Sequence, residues 1–393
     1  MSYRRRKPPD QVSGNPFISL HPERELKRDA MRHSPRNTIQ ACVPDCSNHE
    51  KNTVDVNYEQ RRSNQIFVGL TNTGNDCCVN ALLQTFFMMP EYKNILSRCQ
   101  QQGVLKENDN HIPYHLDKVF QDLQNTTQRT VTPEKFIQCL MLNHITVTIQ
   151  LDAEEIFRSL FSLLQDQLKK TEFIRDINNL HIITTEEYTK CLQCLQECKQ
   201  VGYMLTIPLS LCNPSSGELY MCVKKSLDAF FEPQILEGGN KCYCDQCGKK
   251  TKTMQGSRVL SPPQILCLQL KRFDLATNLG KAVKSYNFMA FPDRLNLDNF
   301  NKEHHRQMDT YNLLSVIVHI GSTSFGHYYA YIRRFPEMDW YCFRDEYVTK
   351  ATWKDVTTTF GSSPSSSCGL NRFQMMEAYS YQDITTFQIF KTC

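Results

Sequence analysis

Gly69-Leu-Thr-Asn-Thr-Gly-Asn-Asp-Cys-Cys-Val-Asn-Ala-Leu-Leu-Gln84 falls into two halves. The first is a turn-forming loop containing Gly74, Asn75 and Asp76. The second reads as a helix, because Val79, Leu82, Leu83, Phe86 and Phe87 recur at the 3.6-residue period, and Pro90 closes it. Cys77 therefore stands in a first helical turn. Free backbone N–H groups and partial positive charge there favour a thiolate and can hold the oxyanion of an acyl intermediate. Asn72, in the loop, carries a side-chain amide suited to the same oxyanion. Taken alone, the pattern fits equally well two buried thiols, Cys77 and Cys78, at a helix start. Asp76 is well suited to cap that helix, yet a carboxylate beside the sulfur disfavours the thiolate. It either points away as a cap or lowers reactivity.

Order begins near Ile66. Upstream, residues 1–63 are polar and without apolar period, and read as a disordered basic arm. The arm contains Cys42, Cys46 and His49, a partial ligand set that reads as coincidence rather than a metal knuckle. The net charge is +4, and residues 1–65 hold twelve Lys and Arg against eight Asp and Glu, so the body is neutral. A neutral body argues against nucleic acid as the main partner. No apolar run reaches the roughly 18 residues of a membrane span, and the N-terminus lacks the apolar stretch of a signal peptide. The expected location is cytoplasmic, with the nucleus a second compartment. In a reducing compartment, close-spaced members of the 18 cysteines read as metal ligands or nucleophiles rather than disulfides.

Downstream, helical periodicity continues through residues 115–175, and strand-like runs dominate from about 203: Met204-Leu-Thr-Ile-Pro-Leu, Ile265-Leu-Cys-Leu-Gln-Leu and Leu313-Leu-Ser-Val-Ile-Val-His-Ile. Helices first and sheet afterwards indicate an α+β fold. His319-Ile-Gly-Ser-Thr-Ser-Phe-Gly-His327-Tyr-Tyr-Ala-Tyr reads as strand, glycine loop, strand. A lone His there is more often structural, but a distant Cys plus a His at a strand–loop junction is what a papain-like pair requires. Gly321 and Gly326 let the loop approach a bound peptide backbone. Cys191-Leu-Gln-Cys194 and Cys244-Asp-Gln-Cys247 are two chelating turns in polar surroundings, which suits one structural zinc better than four buried thiols. Cys198 and Cys242 lie close by as spare thiols.

The Gly69–Gln84 stretch resembles the nucleophile box of the ubiquitin-specific proteases, and Gly326-His327-Tyr-Tyr-Ala-Tyr331 resembles their histidine box. The resemblance covers about residues 64–350. It implies a papain-like fold of helical thumb (about 64–180), zinc-binding fingers (about 181–258) and β palm (about 259–393) within a catalytic domain of residues 64–393. It implies Cys77 as nucleophile, His327 as general base, Asn72 as oxyanion support, and one zinc on Cys191, Cys194, Cys244 and Cys247, with no organic cofactor. Pro262–Phe273 is similar to a structural palm strand of the family. Gln150-Leu-Asp152-Ala-Glu154-Glu155-Ile-Phe resembles a helix whose acids face the arginines of a ubiquitin-like tail; without that likeness it is only a charged helix start.

Three departures stand out. Asp76 replaces an uncharged residue. Arg344 occupies the place of the residue that orients the imidazole, and Arg accepts no hydrogen bond, so either the adjacent Asp345 takes over or the pair works weakly. Glu377–Lys391 is more polar than the family's closing strand, after a Ser-rich loop at 362–367, so a central strand is expected to be altered. The Cys after the nucleophile and the short chain are similar to a branch that removes an interferon-stimulated two-domain ubiquitin-like modifier and restrains interferon receptor signalling. The implied partners are that modifier, its conjugates and receptor signalling proteins. Glu154 and Glu155 leave ubiquitin open as substrate. Two rivals remain: a catalytically weakened adaptor, and a zinc-binding interaction module.

Overall fold

A computed structural model describes residues 67–147, 152–276, 281–297, 300, 310–323, 325–362 and 383–392. The arm at 1–63 with its Cys42, Cys46 and His49, Gln150, and most of the Ser-rich stretch lie outside the described residues.

The first lobe is helical. β1 (Gly69–Leu70) leads to α1 (Cys77–Phe87), α2 (Pro90–Gln101), α3 (Ile112–Asn125), β2 (Thr130–Val131), α4 (Glu134–Leu142), α5 (Ala153–Leu168) and α6 (Phe173–His181). Pro90 does more than close α1: it opens α2 at its first turn, where its missing N–H has no intrahelical acceptor to lose. α1 is buried on all sides from Cys77 to Phe86, against α5 on one side and palm strands on the other. A helix this apolar belongs in a core, not on a surface.

The finger lobe follows: β3 (Ile183–Cys191), β4 (Glu197–Met204), β5 (Ile207–Leu209), α7 (Val223–Phe231), β6 (Gln234–Leu236), β7 (Cys242–Cys244), β8 (Lys249–Thr251) and β9 (Thr253–Ser261). Its sheet runs β4-β3-β9-β6, with β7 and β8 a separate hairpin. β5, inside the span read as fingers, instead pairs parallel with the strand Ile265–Leu270 and joins the palm.

The palm comprises β10 (Ile265–Leu270), β11 (Phe273–Ala276), β12 (Lys281–Lys284), β13 (Arg294–Asn296), β14 (Thr310–Gly321), β15 (Gly326–Arg334), β16 (Asp339–Arg344), β17 (Tyr347–Ala351), α8 (Trp353–Thr357) and β18 (Ile384–Thr392). Strand order is β17-β16-β15-β14-β18-β10-β5, with β13 beside β14. The sheet separates two cores. Leu314, Ile317, Phe387 and Ile389 face the helices, whereas Leu313, Val316, Val318 and Phe390 face α7 and the outer loops. Strands covered on both faces read as continuous apolar runs.

The expected alteration of a central strand is corrected here. β18 lies between β14 and β10, the centre of the sheet, in spite of its polar look. Two of its buried threonines are accommodated there: Thr385 Oγ1 meets Thr359 Oγ1 at 2.7 Å, and the Thr386 hydroxyl donates to the Ile317 carbonyl at 3.4 Å.

Candidate active site

α1 begins at Cys77, and Asp76 holds the cap position without making a side-chain capping bond. Its carboxylate instead accepts the Thr73 hydroxyl at 3.1 Å. The expectation of Asp76 as a side-chain cap is thereby corrected. The loop is shaped by Asn72, whose Oδ1 accepts the Gly74 and Asp76 backbone N–H groups at 3.2 and 3.3 Å. Asn72 Nδ2 points the other way and donates to Asp345 Oδ2 at 2.9 Å.

His327 enters from the palm. β14 and β15 pair through Ile320 with His327 and Gly321 with Gly326, so His327 is the second residue after the turn. The two glycines are needed. Gly321 has φ +110°, and a Cβ on Gly326 would overlap the His319 ring. The next residue, Tyr328, donates its backbone N–H to Cys77 Sγ at 3.4 Å. That contact joins residues 251 positions apart in sequence.

Asp345 sits in the turn between β16 and β17 at φ +49°, a conformation Asp tolerates. Its backbone carbonyl accepts Leu70 N–H at 2.9 Å. Only glycine fits at 69, because a Cβ there would collide with the Asp345–Glu346 main chain. The Asp345 carboxylate accepts Asn72 Nδ2, and also Asn80 Nδ2 at 2.8 Å, and lies 3.6 Å from His327 Nε2. That last distance is long for a hydrogen bond but close for electrostatic orientation. Asn80, on α1 one turn past Cys77, was missed in the sequence; its signal was an amide within the run Cys77–Phe87 that buries almost throughout.

Arg344 does not hold the imidazole. Its guanidinium lies 4.2 Å from the centre of the Tyr329 ring and 4.0 Å from Asp383, which accepts the Tyr329 hydroxyl at 2.7 Å. Burial pushes the Cys77 thiol up, Tyr328 N–H pulls it back, and the Asp345 charge pushes it up again. The helix terminus was expected to lower this thiol; burial outweighs it. Burial also holds His327 below its ordinary value, Asp345 and Asp383 oppose that, and Arg344 adds to it.

Asp152 caps α5 through Glu154 N–H at 3.2 Å and accepts Gln269 Nε2 at 2.9 Å. Its charge reaches Cys78 and Tyr328, whose hydroxyl accepts Ala153 N–H, so it borders the nucleophile's turn. Glu154 is buried and bound to Arg158 and Thr206, which corrects the expectation that it faces a substrate tail. Glu155 is exposed.

With this geometry stand the comparisons with known proteins. Residues 68–381 match the family model for ubiquitin carboxyl-terminal hydrolase. The chain belongs to the ubiquitin carboxyl-terminal hydrolase family. It is 30% identical over 302 residues to Ubl carboxyl-terminal hydrolase 18 of Homo sapiens, covering 75% of this chain and 80% of that one. The Mus musculus protein of the same name is 31% identical over 302 residues, covering 75% and 81%. Ubiquitin carboxyl-terminal hydrolase 47 of Xenopus tropicalis is 29% identical over 388 residues, which is 84% of this chain but only 28% of that protein. This ubiquitin carboxyl-terminal hydrolase is a cysteine-type deubiquitinase with the papain-like thumb, fingers and palm.

The hydrolase carries a second sulfur cluster at its fingertip. The ligand atoms of Cys191, Cys194, Cys244 and Cys247 all lie within 4.8 Å of one another. Cys191 and Cys247 sulfurs are 3.9 Å apart, and those of Cys194 and Cys244 3.5 Å. A tetrahedral thiolate site with bonds of about 2.3 Å has edges of about 3.8 Å, so the four sulfurs fit a metal ion of that geometry. The Thr251 hydroxyl, first among its causes, pulls the Cys191 thiol down, while burial and the other sulfurs push Cys247 up. Cys198 is exposed, and Cys242 contacts the Asn240 carbonyl instead.

Proposed function

We propose that this deubiquitinase-type hydrolase is an isopeptidase for a ubiquitin-like modifier, with the interferon-stimulated two-domain modifier as preferred substrate and ubiquitin as the competing one. The observation that carries the chemistry is the meeting of Cys77 Sγ with the residue after His327, beside a carboxylate shared by Asn72, Asn80 and the imidazole. Cys77 passes its proton to His327, and the sulfur attacks the carbonyl of the modifier's C-terminal glycine. The imidazolium then gives that proton to the leaving lysine amine, and water, deprotonated by the same imidazole, cleaves the thioester. Asp345 favours the imidazolium as it forms, and Asn72 borders the developing oxyanion. Cys191, Cys194, Cys244 and Cys247 would hold one zinc, whose contribution is structural.

The modifier preference rests on likeness to Ubl carboxyl-terminal hydrolase 18 over most of both chains. With it comes a proposed role in restraining interferon signalling, with receptor signalling proteins as partners and the cytoplasm and nucleus as location. The upward push of burial on the Cys77 thiol and the place of Arg344 favour a second reading, an adaptor that binds the modifier and cleaves it slowly. Ubiquitin and the interferon-stimulated modifier, each carrying a C-terminal electrophile, separate these readings. Covalent capture through Cys77 supports the isopeptidase, faster capture of the two-domain modifier supports the preference, and tight binding without capture supports the adaptor.

A further inference from the structure

Lys284 ends β12 and is only 7% exposed. Its Nζ donates to the His319 carbonyl at 3.1 Å and the Gly321 carbonyl at 2.7 Å. The Tyr286 hydroxyl donates to the same Gly321 oxygen at 3.2 Å, and its ring lies 5.0 Å from the ammonium. Among the described residues no carboxylate pairs with this lysine. Burying an ammonium against carbonyls alone is costly, and an apolar side chain of similar length would avoid the cost. What the ammonium accomplishes is local. Both of its acceptors belong to the end of β14, and Gly321 is the register partner of Gly326, the residue before His327.

We propose that Lys284 is a positioning residue for His327, tying the β11–β12 hairpin to the turn from which the general base projects. The proposal rests on the reading of His327 as that base. Four further contacts make the turn responsive to this tie. The missing Cβ of Gly326 lets the chain lie against the His319 ring. That ring packs 4.6 Å from Tyr328 and 5.3 Å from Phe273, the register partner of Lys284. Tyr328, in turn, is the residue whose N–H touches the Cys77 sulfur. Charged neighbours set the ammonium's surroundings. Burial brings Lys284 down to about 7, the Arg272 charge pushes the same way, and Asp383 opposes them. His319 is held at about 3, first by burial, so it stays neutral beside the lysine. Releasing the two carbonyls would let the Gly321–Gly326 turn relax and carry the imidazole out of line with the sulfur. Displacements of about 1 Å at reacting groups can cost up to roughly 100-fold in rate.

The test uses the full chain with Lys284→Met, Lys284→Arg and Tyr286→Phe. One readout is turnover of a modifier C-terminal fluorogenic amide, resolved into kcat and KM. The other is the pH profile of Cys77 alkylation by iodoacetamide, followed on the Cys77 peptide by mass spectrometry, which needs no modifier. The expected result for Lys284→Met is a kcat about tenfold lower at unchanged KM and an alkylation profile moved to higher pH. Lys284→Arg restores most of both, and Tyr286→Phe shifts both in the same direction by about two- to threefold. An active wild type with Lys284→Met unchanged in kcat and profile overturns the proposal. So does a loss that follows only the melting temperature and that Lys284→Arg does not restore. A wild type that never turns over or captures a modifier sinks the isopeptidase reading, and the alkylation profile then decides the positioning role alone. Where Lys284→Met does not fold, an unchanged Tyr286→Phe protein overturns the proposal.

Discussion

At the fingertip, four sulfurs meet because two short C-x2-C turns lie at the ends of neighbouring strands, β3 with β4 and β7 with β8. At the catalytic turn, one sulfur meets the backbone N–H next to His327 on a strand of the palm, and the carboxylate beside that histidine comes from a third segment, at Asp345. The difference is one of range. Fingertip geometry is set by contacts within each turn and needs only one long-range meeting. The catalytic geometry needs α1, the β14–β15 turn and the β16–β17 turn in register at once. Its surroundings also differ: three of the four fingertip cysteines are half-buried and their sulfurs crowd one another, whereas Cys77 is buried and its thiol pushed up.

The sharpest break in this comparison is Cys77→Ala, which should abolish covalent capture and lower turnover at least about 10⁴-fold while leaving the melting temperature nearly unchanged. Cys244→Ser, or prolonged chelation, should do the reverse. Melting should fall by on the order of 10 °C, with released zinc measurable by a chromogenic chelator and activity lost only as the fingers unfold. Asp345→Ala comes next, with kcat expected to drop about 10- to 100-fold, since it frees Asn72 and Asn80 and removes the charge that favours the imidazolium. Asp345→Asn carries a sign. The Asp345 charge raises both Cys77 and His327, so its loss should move both titrations to lower pH in an alkylation profile. Arg344→Asn should raise the His327 titration and change kcat by only a few-fold, because Arg344 lowers that group from the partly exposed rim. Asp76→Thr should alter Cys77 alkylation by less than about twofold, since Thr73 holds that carboxylate and the acid that acts on the thiol is Asp345.

Much of this was legible in advance. The 3.6-residue period after Cys77 marked α1, and the glycine loop marked the turn before His327, because both follow from local backbone chemistry. The acids at the start of α5 were legible only as a group. Which of Asp152, Glu154 and Glu155 turns inward depends on the helix facing Thr206 and Gln269, residues supplied by other elements. β18 was obscured for a related reason. Its threonines and glutamine look like a surface, but β14 and β10 pair with both of its edges, the two cores cover its faces, and Thr359 and the Ile317 carbonyl meet its hydroxyls.

The amino-acid order by itself determined where a thiol at a helix start, a glycine-framed histidine and two C-x2-C turns would form, since each is a short-range pattern of backbone preference and side-chain chemistry. Tertiary structure alone decided that Asp345, not Arg344, lies beside the imidazole, that Asn80 joins it, and that burial overrides the helix terminus at Cys77. Those outcomes depend on which distant segments exclude water from one another, and no local pattern encodes that.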